Sequence, residues 1–243
     1  MSHADPLEGD LALVDEATRA LLRTAARLRD ADLAAPSLCE GWTRGHVLAH
    51  VARNAEAIRR LADWAVSGER QEMYPGGTQR RDADIEAGAG RGAAEQLRDL
   101  EDTAHALAQV LPRIADGIVA SEVEMRGGYL VASRTLPFLR LREVALHHVD
   151  LDAGYTLADV DGDVLVRLLD DAVGRLRLSR RAPSVTLRTD EGESWEVGHP
   201  DGEAPAAIDV TGPRHGLLLW LARRIGSGVT SSSGGLPDLP RGA

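Results

Sequence analysis

Glu143 and His147 stand four residues apart in the segment Arg142-Glu-Val-Ala-Leu-His-His-Val-Asp150. On a helix both side chains leave the same face, one turn apart. A second segment, Gly41-Trp-Thr-Arg-Gly-His-Val-Leu-Ala-His50, carries another histidine on an otherwise ordinary apolar helical pattern. A third ligand from His50 would complete a set of two imidazoles and one carboxylate. Such a set leaves one tetrahedral position open for water or a thiol, as catalytic zinc sites do. The spacing therefore asks for two helices, far apart in sequence, that meet at these residues.

The 243 residues are enough for one large domain or two of ordinary size, and 43% apolar content is that of a folded protein. No apolar run approaches the ~18–20 residues of a membrane span. The first ten residues carry Asp5, Glu8 and Asp10 and no basic, apolar leader, so no secretory signal is expected. Cys39 is the single cysteine, which excludes an internal disulfide framework and a multi-cysteine zinc site. A reducing cytoplasm is the expected compartment. The net charge of −10 opposes binding to nucleic acid or to an anionic membrane at long range. It equally opposes a small dianionic substrate. Such a substrate would need arginines placed locally, and all 28 basic residues are arginine.

Apolar positions at helical spacing cover residues 7–33. A second helix is expected from an N-cap at Thr43 to about Val66, closed by Ser67-Gly68. Tyr74 to Gly92 is rich in glycine and charge and reads as a long loop with at most a helical turn. A third helix fits Ala93 to Ile114. Val123 to Val131 alternates about Gly127-Gly128, a hairpin pattern, and a fourth helix fits Thr135 to Asp152 with Gly154 as its stop. After Tyr155 the pattern changes. A helix over Asp161–Ser179 precedes strand-like runs at Ser184–Thr189, Ser194–Val197 and Ala206–Thr211. Pro213–Arg224 reads as a last helix, and the tail from Val229 offers a short edge strand. The expected organisation is a four-helix domain over residues 1–154 and a smaller α+β domain over 155–243.

Several of these stretches carry a specific resemblance. They are Glu40-Gly-Trp-Thr-Arg, His46-x-x-x-His50-Val-Ala-x-Asn54, Met73-Tyr74, Arg142-Glu-Val-x-x-His147-x-Val-Asp-Leu151 and Gly228-Val-Thr-Ser-Ser-x-Gly234. Together they resemble the mycothiol-dependent maleylpyruvate isomerase family, over nearly the whole chain. The bundle motifs occur more widely among DinB-like proteins, and the tail motif sharpens the match. The resemblance implies a DinB-like four-helix metal-binding bundle followed by a small α+β domain. It implies zinc held by His50, Glu143 and His147, with His148 as the neighbouring alternative to His147. An arginine in the second domain falls on Arg224, or on Arg223 if the alignment shifts by one. Arg81 matches an arginine after the Met-Tyr pair.

The implied activity is cis–trans isomerisation of maleylpyruvate to fumarylpyruvate in aromatic breakdown, with mycothiol as the low-molecular-weight thiol. The implied partners are that thiol and a small dicarboxylate, and the implied site lies between the two domains. A mycothiol S-transferase on the same scaffold is the alternative enzyme, and a non-catalytic zinc-binding protein is the alternative of another class. Cys39 is expected to lie outside the site. His46 reads as a pocket residue or as a polar residue at the helix start, and Trp42 as an anchor there. Asp150 continues the stripe of Glu143 and His147, where it could accept the second N–H of a metal-bound histidine, serve as a ligand, or cap the helix.

Overall fold

The computed structural model describes residues 6–198 and 207–240. The chain divides into two compact units, Met1–Tyr155 and Thr156–Ala243. The first unit is built from α1 (Pro6–Ala25), α2 (Asp30–Leu33), α3 (Arg44–Ser67), α4 (Gly77–Ala89), α5 (Ala93–Ala108) and α6 (Arg113–Asp116). A hairpin of β1 (Glu122–Glu124) and β2 (Leu130–Ala132) then leads into α7 (Leu136–Asp150).

The central helix, α3, starts and stops where its sequence says it should. Thr43 is the N-cap and forms a capping box with His46, while Gly68 closes the helix in the left-handed conformation at φ 79°. Between them α3 packs against α4, α5 and α7, and α1 packs against α7 and α5. Leu21, Leu48, Val51, Leu100, Val144 and Leu151 form the shared core. Each such side chain contributes roughly 1.5–3 kcal/mol on leaving water.

Backbone fastenings fix α3 against α7. Leu38 N–H donates to Asp150 O at 2.9 Å. The Arg44 guanidinium donates to Leu151 O at 2.6 Å and Asp152 O at 2.5 Å. These bonds satisfy carbonyls left over at the end of α7 and place a cation on the negative end of its dipole. They set the start of α3, and with it His50, beside the last turns of α7.

The segment expected to be a long loop is largely helical, as α4. Its sequence hides this because it is polar nearly all round; Ile85 and Gly88 are its buried residues. Tertiary contact supplies what periodicity lacks. A Cβ at Gly45 would lie 2.6 Å from Ala89 O, and one at Gly88 would lie 2.8 Å from the Ala49 Cβ. The glycines thus allow α3 and α4 to touch backbone to backbone. Gln96 Nε2 bridges the crossing, donating to Gly45 O at 3.1 Å and Gly88 O at 2.8 Å. The third expected helix ends early, at Ala108, and a separate turn, α6, begins after Pro112, which has no N–H to continue a helix. The hairpin forms as expected, pairing Val123 with Val131, and Gly127 and Gly128 take the positive φ values its turn needs.

The second unit holds α8 (Gly162–Arg177), β3 (Val185–Thr189), β4 (Ser194–Val197), β5 (Ile208–Gly212), α9 (Arg214–Arg223) and β6 (Thr230–Ser231). Asp161 caps α8 by accepting from Asp163 N and Val164 N. The strand order among the described residues is β4-β3-β5-β6. β3 runs antiparallel to β4 and parallel to β5, and β6 closes the edge antiparallel to β5. Val185, Leu187 and Val210 are buried in this sheet. Ala206, the expected first residue of the third strand, lies outside the described residues. The architecture is therefore mixed, helical first and then helices with a small sheet. No described helix is long and apolar enough to cross a membrane.

Candidate metal centre

α3 brings His50 and α7 brings Glu143 and His147 to one point, with ligand atoms all within 4.8 Å of one another. His50 Nε2 lies 3.2 Å from Glu143 Oε2, and His147 Nε2 lies 3.6 Å from the same oxygen. The two imidazole rings meet edge to face with centroids 4.5 Å apart. Ligands at ~2.0–2.1 Å from a tetrahedral ion are separated by about 3.3–3.4 Å. The two distances to Glu143 bracket that value, and the donor set suits zinc chemically. The residues present therefore fit a divalent ion of this type.

The surroundings orient each member. His147 Nδ1 is 2.7 Å from Asp150 Oδ2, which leaves Nε2 facing Glu143. Asp150 is thus the carboxylate behind the histidine, one of the roles the sequence left open. Arg142 Nη2 reaches Glu143 Oε1 at 3.4 Å, so the two carboxylate oxygens have separate partners. Arg81, on α4, places Nη2 3.2 Å from His50 Nδ1 and its guanidinium over the Tyr74 ring. Trp42 lies 5.4 Å from the His50 ring, centroid to centroid, so it borders the site as well as anchoring the helix start.

The charges follow from this packing. Burial, and next the neighbouring His147, push the His50 imidazole down to about 4, so it is neutral near pH 7. Burial would raise Glu143, but the hydrogen bonds from His147 and His50 outweigh it and hold the carboxyl well below its usual range. Burial would likewise lower His147. Its contacts with Asp150, Cys39 and Glu143 prevail and lift it well above its ordinary value. One carboxylate, one neutral imidazole and one imidazole that holds a proton make a set able to hold a cation once that proton leaves.

His148 turns away from this point. It is buried, 2.7 Å from Thr24 Oγ1 through Nε2 and stacked on Tyr155, so it serves the packing of α7 against α1. His46 also has another task. Its Nδ1 lies 2.8 Å from Thr43 Oγ1, and its Nε2 3.1 Å from Glu86, at the start of α3. Cys39 is nearer than its sequence position suggested, because Sγ donates to Asp150 Oδ2 at 3.2 Å. With His147 and Asp150 it makes a second group of possible ligand atoms, all within 4.8 Å of one another. The signal was available in Glu40-Gly-Trp, which follows Cys39 immediately, but nothing in the spacing ties that turn to α7. Arg224 belongs to the second unit. There it ends α9 in the left-handed conformation, with its guanidinium donating to Leu221 O and Pro240 O.

A helical unit whose separate helices offer two imidazoles and a carboxylate to one point, joined to a small α+β unit, defines a mixed helical protein with a candidate metal site. The family model for the mycothiol maleylpyruvate isomerase N-terminal domain matches residues 14–152, and the chain belongs to that family. A solved mycothiol-dependent maleylpyruvate isomerase is 28% identical with a TM-score of 0.89, each chain covered to 97%. A histidine-to-alanine mutant solved under the same description is 27% identical, with the same TM-score and coverage. A search of curated proteins gave no match.

Proposed function

We propose that this chain isomerises maleylpyruvate to fumarylpyruvate with mycothiol as thiol cofactor and zinc at His50, Glu143 and His147. The observation that carries the reading is the convergence of those three ligand atoms, in a chain of this family. In this reading residues 1–154 form a DinB-like four-helix metal domain, residues 155–243 a small α+β domain, and the protein works in the cytoplasm.

The chemistry explains the need for a thiol. Rotation about a carbon–carbon double bond is blocked while the π bond is intact. Addition of a thiolate forms a C–S bond and sends the π electrons to the conjugated carbonyl oxygen, giving an enolate. The former double bond is then single and rotates. Collapse of the enolate re-forms the double bond in the trans geometry and expels the same thiolate, so atoms and charge balance. Zinc, when bound, would lower the pKa of the thiol. A free thiol of pKa ~8.5 is a few per cent ionised at neutral pH, so full ionisation contributes at most ~30-fold, about 2 kcal/mol. The protein's own groups must supply the rest through orientation and charge.

Arg81 suits one such role. With His50 Nε2 given to a metal, Nδ1 carries the ring proton, and a donor then faces the donor Nη2 of Arg81 across 3.2 Å. The two repel, and Nη2 becomes available to a substrate carboxylate or enolate oxygen while Nη1 stays paired with Asp82 at 2.6 Å. Its Nε is buried without a partner, which favours the same outcome. Arg224 is the second proposed clamp. It forms no ion pair among the described residues, and burial, then the adjacent Arg223, weaken its hold on its proton, so an arriving carboxylate is its missing counter-charge. The test is direct: metal-loaded protein, mycothiol and maleylpyruvate, with the product followed by its spectrum. Trans product with mycothiol returned supports the reading. A lasting thiol–substrate adduct makes the chain a transferase instead.

A further inference from the structure

Among the described residues Arg140 is the largest fully buried side chain, at 2% exposure, and it forms no ion pair. Its hydrogen bonds both leave from Nη1, to Val51 O at 3.0 Å and Asn54 Oδ1 at 2.6 Å. Nε is buried with no partner. The edge formed by Nε and Nη2, on which arginine takes a carboxylate side-on, therefore has no acceptor. Burial lowers the guanidinium to about 10, yet it stays charged at neutral pH. Glu143, one turn along α7, acts on it only through space, and an internal cation whose hydrogen bonds reach only neutral oxygens is costly.

Arg140 also lines a groove of about 500 Å³ between α1 and α5. Leu11, Val14 and Leu22 form one wall, and Ala104, Leu107 and Leu111 the other. The other charged or titratable lining residues, Asp15, Arg19, Glu101 and His105, are exposed, and Arg19 is already paired with Asp15 at 2.9 Å. The volume is ordinary for a small-molecule site. Apolar walls with one buried cation that lacks an ion-pair partner fit a particular kind of ligand.

We propose that this groove is a second binding site, for an apolar monocarboxylic acid whose carboxylate meets Arg140 and whose hydrocarbon body lies between α1 and α5. A single cation selects one carboxylate, so the site discriminates against small dicarboxylates, which lack the apolar body and carry a second charge. The site is independent of the reading given to the metal centre.

The probe is octanoate, titrated calorimetrically into metal-loaded protein held with excess maleate, a small dicarboxylate that occupies any carboxylate position at the metal centre. Octanoate should bind one equivalent, and octanol, equal in length but uncharged, about 10- to 100-fold more weakly. Ala104→Trp, which fills the groove from a half-exposed position, should abolish octanoate binding and leave metal content unchanged. Arg140→Met should lower octanoate affinity to that of octanol. If that variant does not fold, Ala104→Trp still decides the location and octanol the charge. Equal affinity for octanoate and octanol, unchanged binding in Ala104→Trp, or no binding at a few millimolar octanoate each overturns the proposal.

Discussion

His147 Nδ1 and Asp150 Oδ2 are 2.7 Å apart, and Asp150 is almost wholly inaccessible at 1% exposure. A buried carboxylate three residues along the same helix fixes both the tautomer and the tilt of the ring. It leaves Nε2 as the atom turned towards Glu143. Removing such a partner commonly lowers metal affinity by about 10- to 100-fold. Asp150→Ala should fall in that range in a competition titration against a chromogenic chelator. Asp150→Asn, which can still accept the Nδ1 proton but lacks the charge, should lose less. Equal affinity in wild type and Asp150→Ala would remove Asp150 from the account.

Cys39 donates to the same carboxylate oxygen, Asp150 Oδ2, at 3.2 Å. Its thiol is committed to Asp150, and a serine hydroxyl in its place can make the same kind of bond. Cys39→Ser should therefore keep turnover within a few-fold and metal content unchanged. A loss of several orders of magnitude at normal metal content would show that the nucleophile is internal, against the external-thiol reading.

The proton on His147 gives a pH dependence with a definite sign. In the metal-free protein His147 is lifted well above its ordinary value, while burial has already left His50 neutral with a value of about 4. A metal entering near neutrality must displace about one proton, so its affinity should rise with pH by up to about tenfold per unit. Stability of the metal-free form moves the other way. The raised imidazole contributes fully below its unfolded value of about 6.5 and loses that contribution as pH climbs through its folded value. Between about pH 6.5 and 8 the gap in melting temperature between loaded and metal-free protein should widen. A gap that stays constant, with no proton released on loading in two buffers of different ionisation enthalpy, contradicts the assignment.

Which parts of this were legible in the sequence follows from where the information lies. Thr43 and Gly68 announce α3 because capping is a local affair of backbone donors and φ angles. Glu143 and His147 announce a shared face because helical pitch alone puts them there. α4 could not be read, since its stability rests on Gly45 and Gly88 letting two backbones touch, which no window of α4 contains. Arg81 had a place in the sequence pattern, but its approach to His50 depends on that same crossing. Arg140 and Cys39 escaped for a related reason. One acquires its meaning from Asn54 on another helix and the other from Asp150, partners 86 and 111 residues away in the chain.

The last prediction concerns the paired arginines that end α9. Arg224 takes φ 64° as the C-cap, and its guanidinium is exposed and held only by the carbonyls of Leu221 and Pro240. Arg223 precedes it, half-buried, with Nη1 on Ala222 O at 2.9 Å. Neutral carbonyls are replaceable partners for a guanidinium, and a carboxylate is a stronger one. Alanine at position 224 keeps the backbone strain of the left-handed cap unchanged, so the substitution isolates the side chain. If Arg224 clamps a substrate carboxylate, Arg224→Ala should lower kcat/KM by roughly 30- to several-thousand-fold, the equivalent of ~2–5 kcal/mol, with metal content intact. Arg224→Lys should recover part of the loss, since the charge returns without the planar fork. Arg223→Ala should stay near wild type. The reverse pattern, a crippled Arg223→Ala beside a nearly normal Arg224→Ala, moves the clamp back by one residue. Full activity in both variants would mean that the substrate is held by the metal unit alone, with Arg81 as its arginine.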